Sequence, residues 1–378
     1  MNTSLKIENV KVFIACSGLG NISRGYESFT QECFDALKTA PELDVWLFKG
    51  GGQSDGKAVK LWNLPRNGNW ANRLARWLGR NSYYVEQATF GVSLLFYILR
   101  HRPDVIYFSD GTIGNLLWHW RRLTGQKYKL LFSNGGPLSP PFTRWDHVQQ
   151  VAPLHLETAL KAGEPPEKHS LVPYGFNIPS SLTILSTDQR RELRRKLKIP
   201  ENRLVILSVG AINHTQKRMD YVIKEIASFS PQPFLVMLGQ HDKETPEILA
   251  LAQSMLGENS FQARSVDYQE VRDYYKVSDV FVLASLGEGF GRVFVEAMSN
   301  GLLCLAHENE VSHFVVGSAG SFGDFSKPGV LSDLLQSLAT TSFNAAAAYQ
   351  ARQQRAYAVF SWDKLVPAYI KLIQSAMS

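Results

Sequence analysis

The chain has 378 residues, 44% of them hydrophobic, enough for large cores and more in keeping with two domains than one. A formal charge of +6 is modest for this length, so a nucleic-acid partner is not expected, whereas phosphate-rich ligands and anionic membranes are compatible with it. The longest apolar run, 92–99, is far too short to cross a bilayer, and Cys16, Cys33 and Cys304 offer neither a disulfide framework nor metal-ligand spacing, which predicts a cytoplasmic setting and no metal site.

Along the chain, the polar, charged stretch 5–9 precedes an apolar run, 10–15, that reads as a buried strand rather than as the core of a signal peptide. A loop follows, Ser17-Gly-Leu-Gly-Asn-Ile-Ser-Arg-Gly25, and then a helix over 26–38 and a strand over 43–48. The loop superficially resembles a dinucleotide fingerprint. However, Ser23 stands where the third glycine belongs, and the second strand leads into Lys49 rather than a ribose-binding acid, so an NAD enzyme is disfavoured. In 70–80, Trp70, Leu74, Trp77 and Leu78 interleave with Arg73, Arg76 and Arg80 in an amphipathic helical pattern. That pattern suits core docking, ligand binding or peripheral contact with an anionic membrane.

A helix over 92–99 and strands over 104–108 and 129–132 come next, before Gly135, Gly136, Pro137, Pro140 and Pro141 enforce an irregular segment. The pattern pauses at Val172-Pro-Tyr-Gly-Phe-Asn-Ile-Pro179, and a new strand begins at Arg203. Residues 1–178 are therefore expected to form one domain, 179–202 a linker and 203–360 a second domain. The basic run 189–198 reads as a solvated face near the linker, and the amphipathic segment in 361–378 as a helix packing back toward the N-terminal domain. Strands at 234–238 and 280–283 alternate with helices at 270–276 and 292–299. Such alternation indicates parallel sheets covered on both faces, an α/β architecture.

In a parallel sheet, ligands favour the loops beyond the carboxyl ends of the strands. Strand 280–283 delivers Gly287-Glu-Gly-Phe-Gly291 to that edge, where Gly289 and Gly291 let backbone N–H groups approach an anion and the following helix adds its N-terminal dipole. Glu288 and Glu296 repel phosphate and are suited instead to accept hydrogen bonds from hydroxyl groups. Strand 204–209 delivers Gly210-Ala-Ile-Asn-His-Thr-Gln-Lys-Arg218 to the same kind of edge, with Lys217 able to neutralise a diphosphate.

With these motifs the chain resembles the retaining, nucleotide-sugar-dependent glycosyltransferases of family 4, which have the GT-B fold. The likeness rests on Gly210 through Lys217-Arg-Met-Asp220, Asp279-Val-Phe-Val-Leu-Ala-Ser285, Glu288-Gly-Phe-Gly291 and Glu296-Ala-Met298, and above all on the two glutamates spaced E-x7-E. It implies two Rossmann-like domains facing each other across a deep cleft. It implies Lys217 and Glu288 as catalytic residues, with Gly20, Arg24, Asn213, His214, Arg218, Gly289, Phe290, Gly291 and Glu296 on the donor. Asn134, Asp146 and His147 are the acceptor-side candidates, the last two equally suited to capping a helix. Ala211 departs from the family, which often has an arginine there; Arg218, His214 or Arg24 are candidates to replace its charge.

The implied reaction moves a hexosyl group from a UDP-sugar to a hydroxyl of a metabolite, glycan or glycolipid, with retention at the anomeric carbon and no cofactor. A sugar-phosphate donor and a nucleotide-sugar-binding module without activity are the alternatives.

Overall fold

The computed structural model describes residues 9–22, 24–338 and 344–378, and divides them into two units. The first comprises residues up to Asn177 together with Trp362–Ser378, and the second runs from Ile178 to Ser361. Ser23 lies outside the described residues.

The first unit is built on seven strands, β1 (Val10–Cys16), β2 (Leu43–Lys49), β3 (Ala58–Lys60), β4 (Val105–Phe108), β5 (Lys129–Asn134), β6 (His147–Gln150) and β7 (His169–Leu171). They pair in parallel in the order β3-β2-β1-β4-β5-β6-β7. All four residues of β4 are buried, because helices cover both faces of a parallel sheet. The chain builds outward from β1 to β3 and then returns to lay β4 on the other side of β1. Right-handed crossovers therefore leave β1 and β4 toward opposite faces, opening a crevice at their carboxyl ends.

The second unit repeats the scheme with β8 (Val205–Val209), β9 (Phe234–Leu238), β10 (Phe261–Arg264), β11 (Val280–Leu283), β12 (Leu303–His307) and β13 (Gly320–Gly323). Their order is β10-β9-β8-β11-β12-β13, so the corresponding crevice opens between β8 and β11. Its core joins the inner faces of β8, β9 and β11 to Val222, Ile226, Ile248 and Leu335 from the covering helices.

Two helices depart from the sequence expectation. The helix expected over 92–99 runs from Ser82 to His101, started by Asn81, whose side chain accepts from the Tyr84 amide at 2.8 Å. The stretch assigned to a linker contains the helix Thr187–Lys196, opened by a capping box between Ser186 and Gln189. Two of its arginines turn inward: Arg190 and Arg194 each lie 2.8 Å from Asp279, and Arg194 also donates to the carbonyls of Val277, Pro200, Glu201 and Arg203. The solvated-face reading thus holds for Arg191, Arg195, Lys196 and Lys198, and fails for Arg190 and Arg194.

The helix Trp362–Met377 belongs to the first unit. Its Tyr369 hydroxyl donates to the Pro173 carbonyl at 2.9 Å and accepts from the Gln149 side chain at 3.0 Å, while Trp362 stacks on Phe29.

Replacing Arg194 by Leu leaves the Asp279 carboxylate and several carbonyls short of a buried donor. The expected cost is about 3 to 5 kcal/mol, read from urea unfolding, with Arg191→Leu on the exposed side of the same helix as the neutral control. An unchanged midpoint for Arg194→Leu would show that Asp279 is satisfied without it.

Candidate active site

In the second unit, β8 leads into Gly210, where a Cβ would lie 3.0 to 3.1 Å from the Lys217 side chain; the missing methyl lets the lysine stem lie flat along the strand end. The loop that returns Lys217 to this point is folded by Asn213. Its side-chain oxygen accepts from the amides of Gln216 at 3.2 Å and Lys217 at 2.9 Å, and its amide donates to Asp242 at 2.9 Å. Glu244 holds the tip of the same loop, accepting from the backbone of His214 and Thr215 and from the Thr215 hydroxyl. Those donors hold the Glu244 carboxyl below the usual carboxylate range, the Thr215 hydroxyl foremost. Asp242 and Glu244 were not singled out in the sequence, and their only signal there is position, just beyond the neighbouring strand β9.

From β11 the chain enters Ser285 to Gly291 and then the helix Arg292–Ser299. Gly291 has φ +78, and a Cβ on it would sit 2.8 Å from the Phe294 ring, so the turn into the helix requires glycine twice over. Lys217 and Glu288, 71 residues apart in sequence, form an ion pair at this edge. Both side chains are about one-fifth exposed. Glu296 begins the second turn of the helix, half-buried, with one carboxylate oxygen accepting from the Tyr275 hydroxyl at 3.1 Å. Phe290 is buried and packs edge-on against Phe360. The arrangement joins a cation, a helix N-terminus and two carboxylates, a set suited to a diphosphate flanked by hydroxyl groups.

The remaining basic candidates divide. His214 is exposed beside Glu244, at 3.3 Å. Arg218 is turned away: as the N-cap it has φ 50, its guanidinium donates to the Phe325 carbonyl at 2.5 Å, and it stacks on Tyr221 at 4.7 Å.

At the crevice of the first unit, Gly20 has φ +86 and packs directly on Gly51, while Arg24 is exposed at the start of the helix Gly25–Leu37. Beneath the loop lies a network absent from the sequence reading. Glu86, fully buried, accepts from the Arg66 backbone at 2.8 Å and from its guanidinium at 3.0 and 2.6 Å. The Ser17 hydroxyl lies 3.2 Å from both Glu86 and Asp110, and Asp110 also accepts from the Tyr83 hydroxyl. Burial pushes the Asp110 carboxyl up, against the opposing pull of Tyr83 and Arg66, and burial likewise raises Glu27. Asp110 follows β4 and precedes a helix, a placement that could have marked it; Glu86 and Tyr83 converge from another helix and carry no local signal.

Asn134 ends β5 at the same edge, buried, with its side chain bonded to Gln150 at 2.9 Å and to the Leu138 amide at 2.8 Å. Asp146 and His147 do not belong there. They stand at the amino end of β6, on the opposite edge of the sheet, where Asp146 accepts from Arg121 at 2.5 Å and from the Leu130 amide at 2.7 Å. His147 is buried against Ser170 at 2.8 Å, and burial, with His169 beside it, lowers its pKa to about 4. Their expected acceptor role is corrected to a structural one. Among the described residues, no group of three or more His, Cys, Asp or Glu side chains is placed to hold a metal ion.

A family model described as glycosyl transferases group 1 matches residues 189–354. A glycogen synthase from Lactiplantibacillus plantarum is 28% identical over 120 residues, which are 31% of this chain and 25% of that protein; the chain thus matches only a quarter of that relative's length. In structure the similarity extends over the whole chain. A sucrose-phosphate synthase from Thermosynechococcus elongatus superposes with TM-score 0.77 at 16% identity, covering 97% of this chain and 98% of that one. A glycosyltransferase from Rickettsia africae gives 0.76 at 14%, covering 98% and 99%. Anabaena HepE, in complex with UDP and glucose, gives 0.75 at 16%, covering 97% and 100%. The chain has the GT-B fold, and in its second unit residues 189–354 match the family of glycosyl transferases group 1.

Proposed function

We propose that this protein is a retaining glycosyltransferase that moves a hexosyl group from a UDP-sugar to an acceptor hydroxyl. The observation that carries the reading is the meeting of Lys217 with Glu288 at the β8/β11 crevice, beside the N-terminus of the helix that bears Glu296. The family match over residues 189–354 supports the class, and the UDP and glucose bound by the structurally similar Anabaena protein support the donor. The three cysteines, free and buried, suit a reducing cytoplasm.

On this reading the diphosphate lies against the backbone N–H groups of Gly289 to Gly291, with Lys217 as its counter-charge and His214 as a further donor contact. Phe290 holds the turn from below and Gly20 keeps the first-unit loop close-packed. Glu296, oriented by Tyr275, accepts from the ribose hydroxyls, and Glu288 accepts from hydroxyls of the transferred sugar. Asn213 shapes the loop that carries Lys217, and Arg218 anchors the helix behind it. The acceptor hydroxyl is assigned to the first unit's crevice, near Tyr83 and Asp110.

In the reaction, the bond from the anomeric carbon to the phosphate oxygen breaks as the acceptor oxygen approaches the same face. The acceptor proton passes to the departing phosphate oxygen. Negative charge grows on that phosphate in the transition state, where Lys217 and the helix amides are worth most.

Lys217→Ala should lower kcat/KM by about 2 to 4 kcal/mol of transition-state stabilisation, with the fold intact by circular dichroism. Unchanged kcat/KM would sink the role. Glu296→Gln keeps an acceptor for Tyr275 but loses the charge that strengthens ribose hydrogen bonds, so UDP should bind roughly tenfold more weakly by calorimetry. Equal UDP affinity would remove Glu296 from the site. Release of UDP only when donor and acceptor are both supplied separates transfer from mere binding, and turnover of a sugar phosphate in place of the UDP-sugar would replace the donor.

A further inference from the structure

The helix Asn69–Trp77 is mounted on the first unit in an unusual way. Ala71 and Ala75 are its buried residues, packed with Leu64, Leu74 and Val85, while Trp70 and Trp77 are 70% and 81% exposed. Seven residues apart, the two indoles share one face, with Arg73 5.4 Å from the Trp70 ring and Arg76 on the next turn; Arg80, just beyond the helix, lies 5.5 Å from the Tyr84 ring. The neighbouring helix Ser82–His101, which supplies Val85 to that packing, carries a second apolar stripe, Val92, Phe96 and Leu99, exposed at helical spacing. Trp62, 65% exposed, is tied to that helix by the Ser93 hydroxyl, which donates to its carbonyl at 2.7 Å.

Charge decides what covers this face. From residue 60 to residue 103 the chain carries Lys60, Arg66, Arg73, Arg76, Arg80, Arg100 and Arg102 against one acid, Glu86, with Asp55 and Asp104 flanking the stretch. That acid is fully buried and paired with Arg66, so the surface formed by this stretch presents cations and no carboxylate. A second copy of the chain would set like charge against like charge, and a nucleic acid would leave the apolar stripe of Val92, Phe96 and Leu99 in water. Anionic lipid headgroups answer the arginines, and the interfacial zone of a bilayer is where indole rings settle. Among the described residues no helix is long and apolar enough to cross a membrane, so the contact is a peripheral one.

We propose that the tryptophan and arginine face of helix Asn69–Trp77, extended by the outer stripe of helix Ser82–His101, docks the protein on an anionic lipid bilayer. The docking goes beyond the transfer reaction and does not depend on it.

The test is co-sedimentation of the full chain with vesicles of phosphatidylcholine alone and of phosphatidylcholine mixed with phosphatidylglycerol. Binding is expected to the mixed vesicles, weakened by salt, with a blue shift of tryptophan emission. Changing Arg73, Arg76 and Arg80 together to Gln should lower partitioning roughly a hundredfold, and Trp70→Ser with Trp77→Ser should abolish the blue shift. Equal sedimentation with both vesicle types, or unchanged binding of these variants, overturns the proposal. So does a dimer in analytical ultracentrifugation that the tryptophan variant dissociates, since a second copy would then occupy the face. UDP binding measured on the same samples keeps the two readings apart: vesicle binding without UDP binding overturns the glycosyltransferase alone, and the reverse overturns the docking alone.

Discussion

The Asp279 carboxylate is the constraint on which the second unit's site depends. It accepts from the Val205 amide at 2.7 Å, and its own amide donates back to the Val205 carbonyl at 2.9 Å, which pins the first residues of β8 and β11 side by side. Arg190 and Arg194 then neutralise the charge that this junction buries. With the amino ends fixed and the strands four and five residues long, the two carboxyl ends emerge next to each other, and so do the loops that end at Lys217 and Glu288. A charge at one end of the sheet thereby sets the position of a charge pair at the other.

Much of the second unit was legible in the sequence because its information is local. Glycines that permit a close backbone approach, a strand of five apolar residues and two glutamates eight residues apart, one in the turn before a short helix and one within it, are all properties of residues close in sequence. The helix Arg292–Ser299 and the strand Phe234–Leu238 fall where periodicity puts them. Arg218 was harder to read, because its direction follows from a left-handed backbone angle at a non-glycine residue. That angle turns the guanidinium toward Phe325 rather than toward the lysine next to it in sequence.

The first unit was read less well, for two physical reasons. Whether a polar pair such as Asp146 and His147 faces ligand depends on which end of a strand it occupies, and β6 was too short and polar to be anticipated. The network of Ser17, Glu86, Asp110, Arg66 and Tyr83 draws on residues up to 93 positions apart, which only the crossover from β3 back to β4 brings together. The amphipathic pattern of 70–80 was legible only in part. Periodicity identifies a helix with two kinds of face, but alanine and tryptophan compete for the role of buried stripe, and the close approach to the neighbouring helix favours the smaller residue.

That choice of alanine has a consequence for how the molecule can change. A helix seated by two methyl groups and a leucine keeps its seat whatever its outward side chains become, since exposed positions of this kind shift stability by only about 0.5 kcal/mol. The loops that carry Lys217 and Glu288 spring from a different sheet. The outward surface of this helix can therefore be rewritten, by selection or by design, without altering the strands from which those loops emerge.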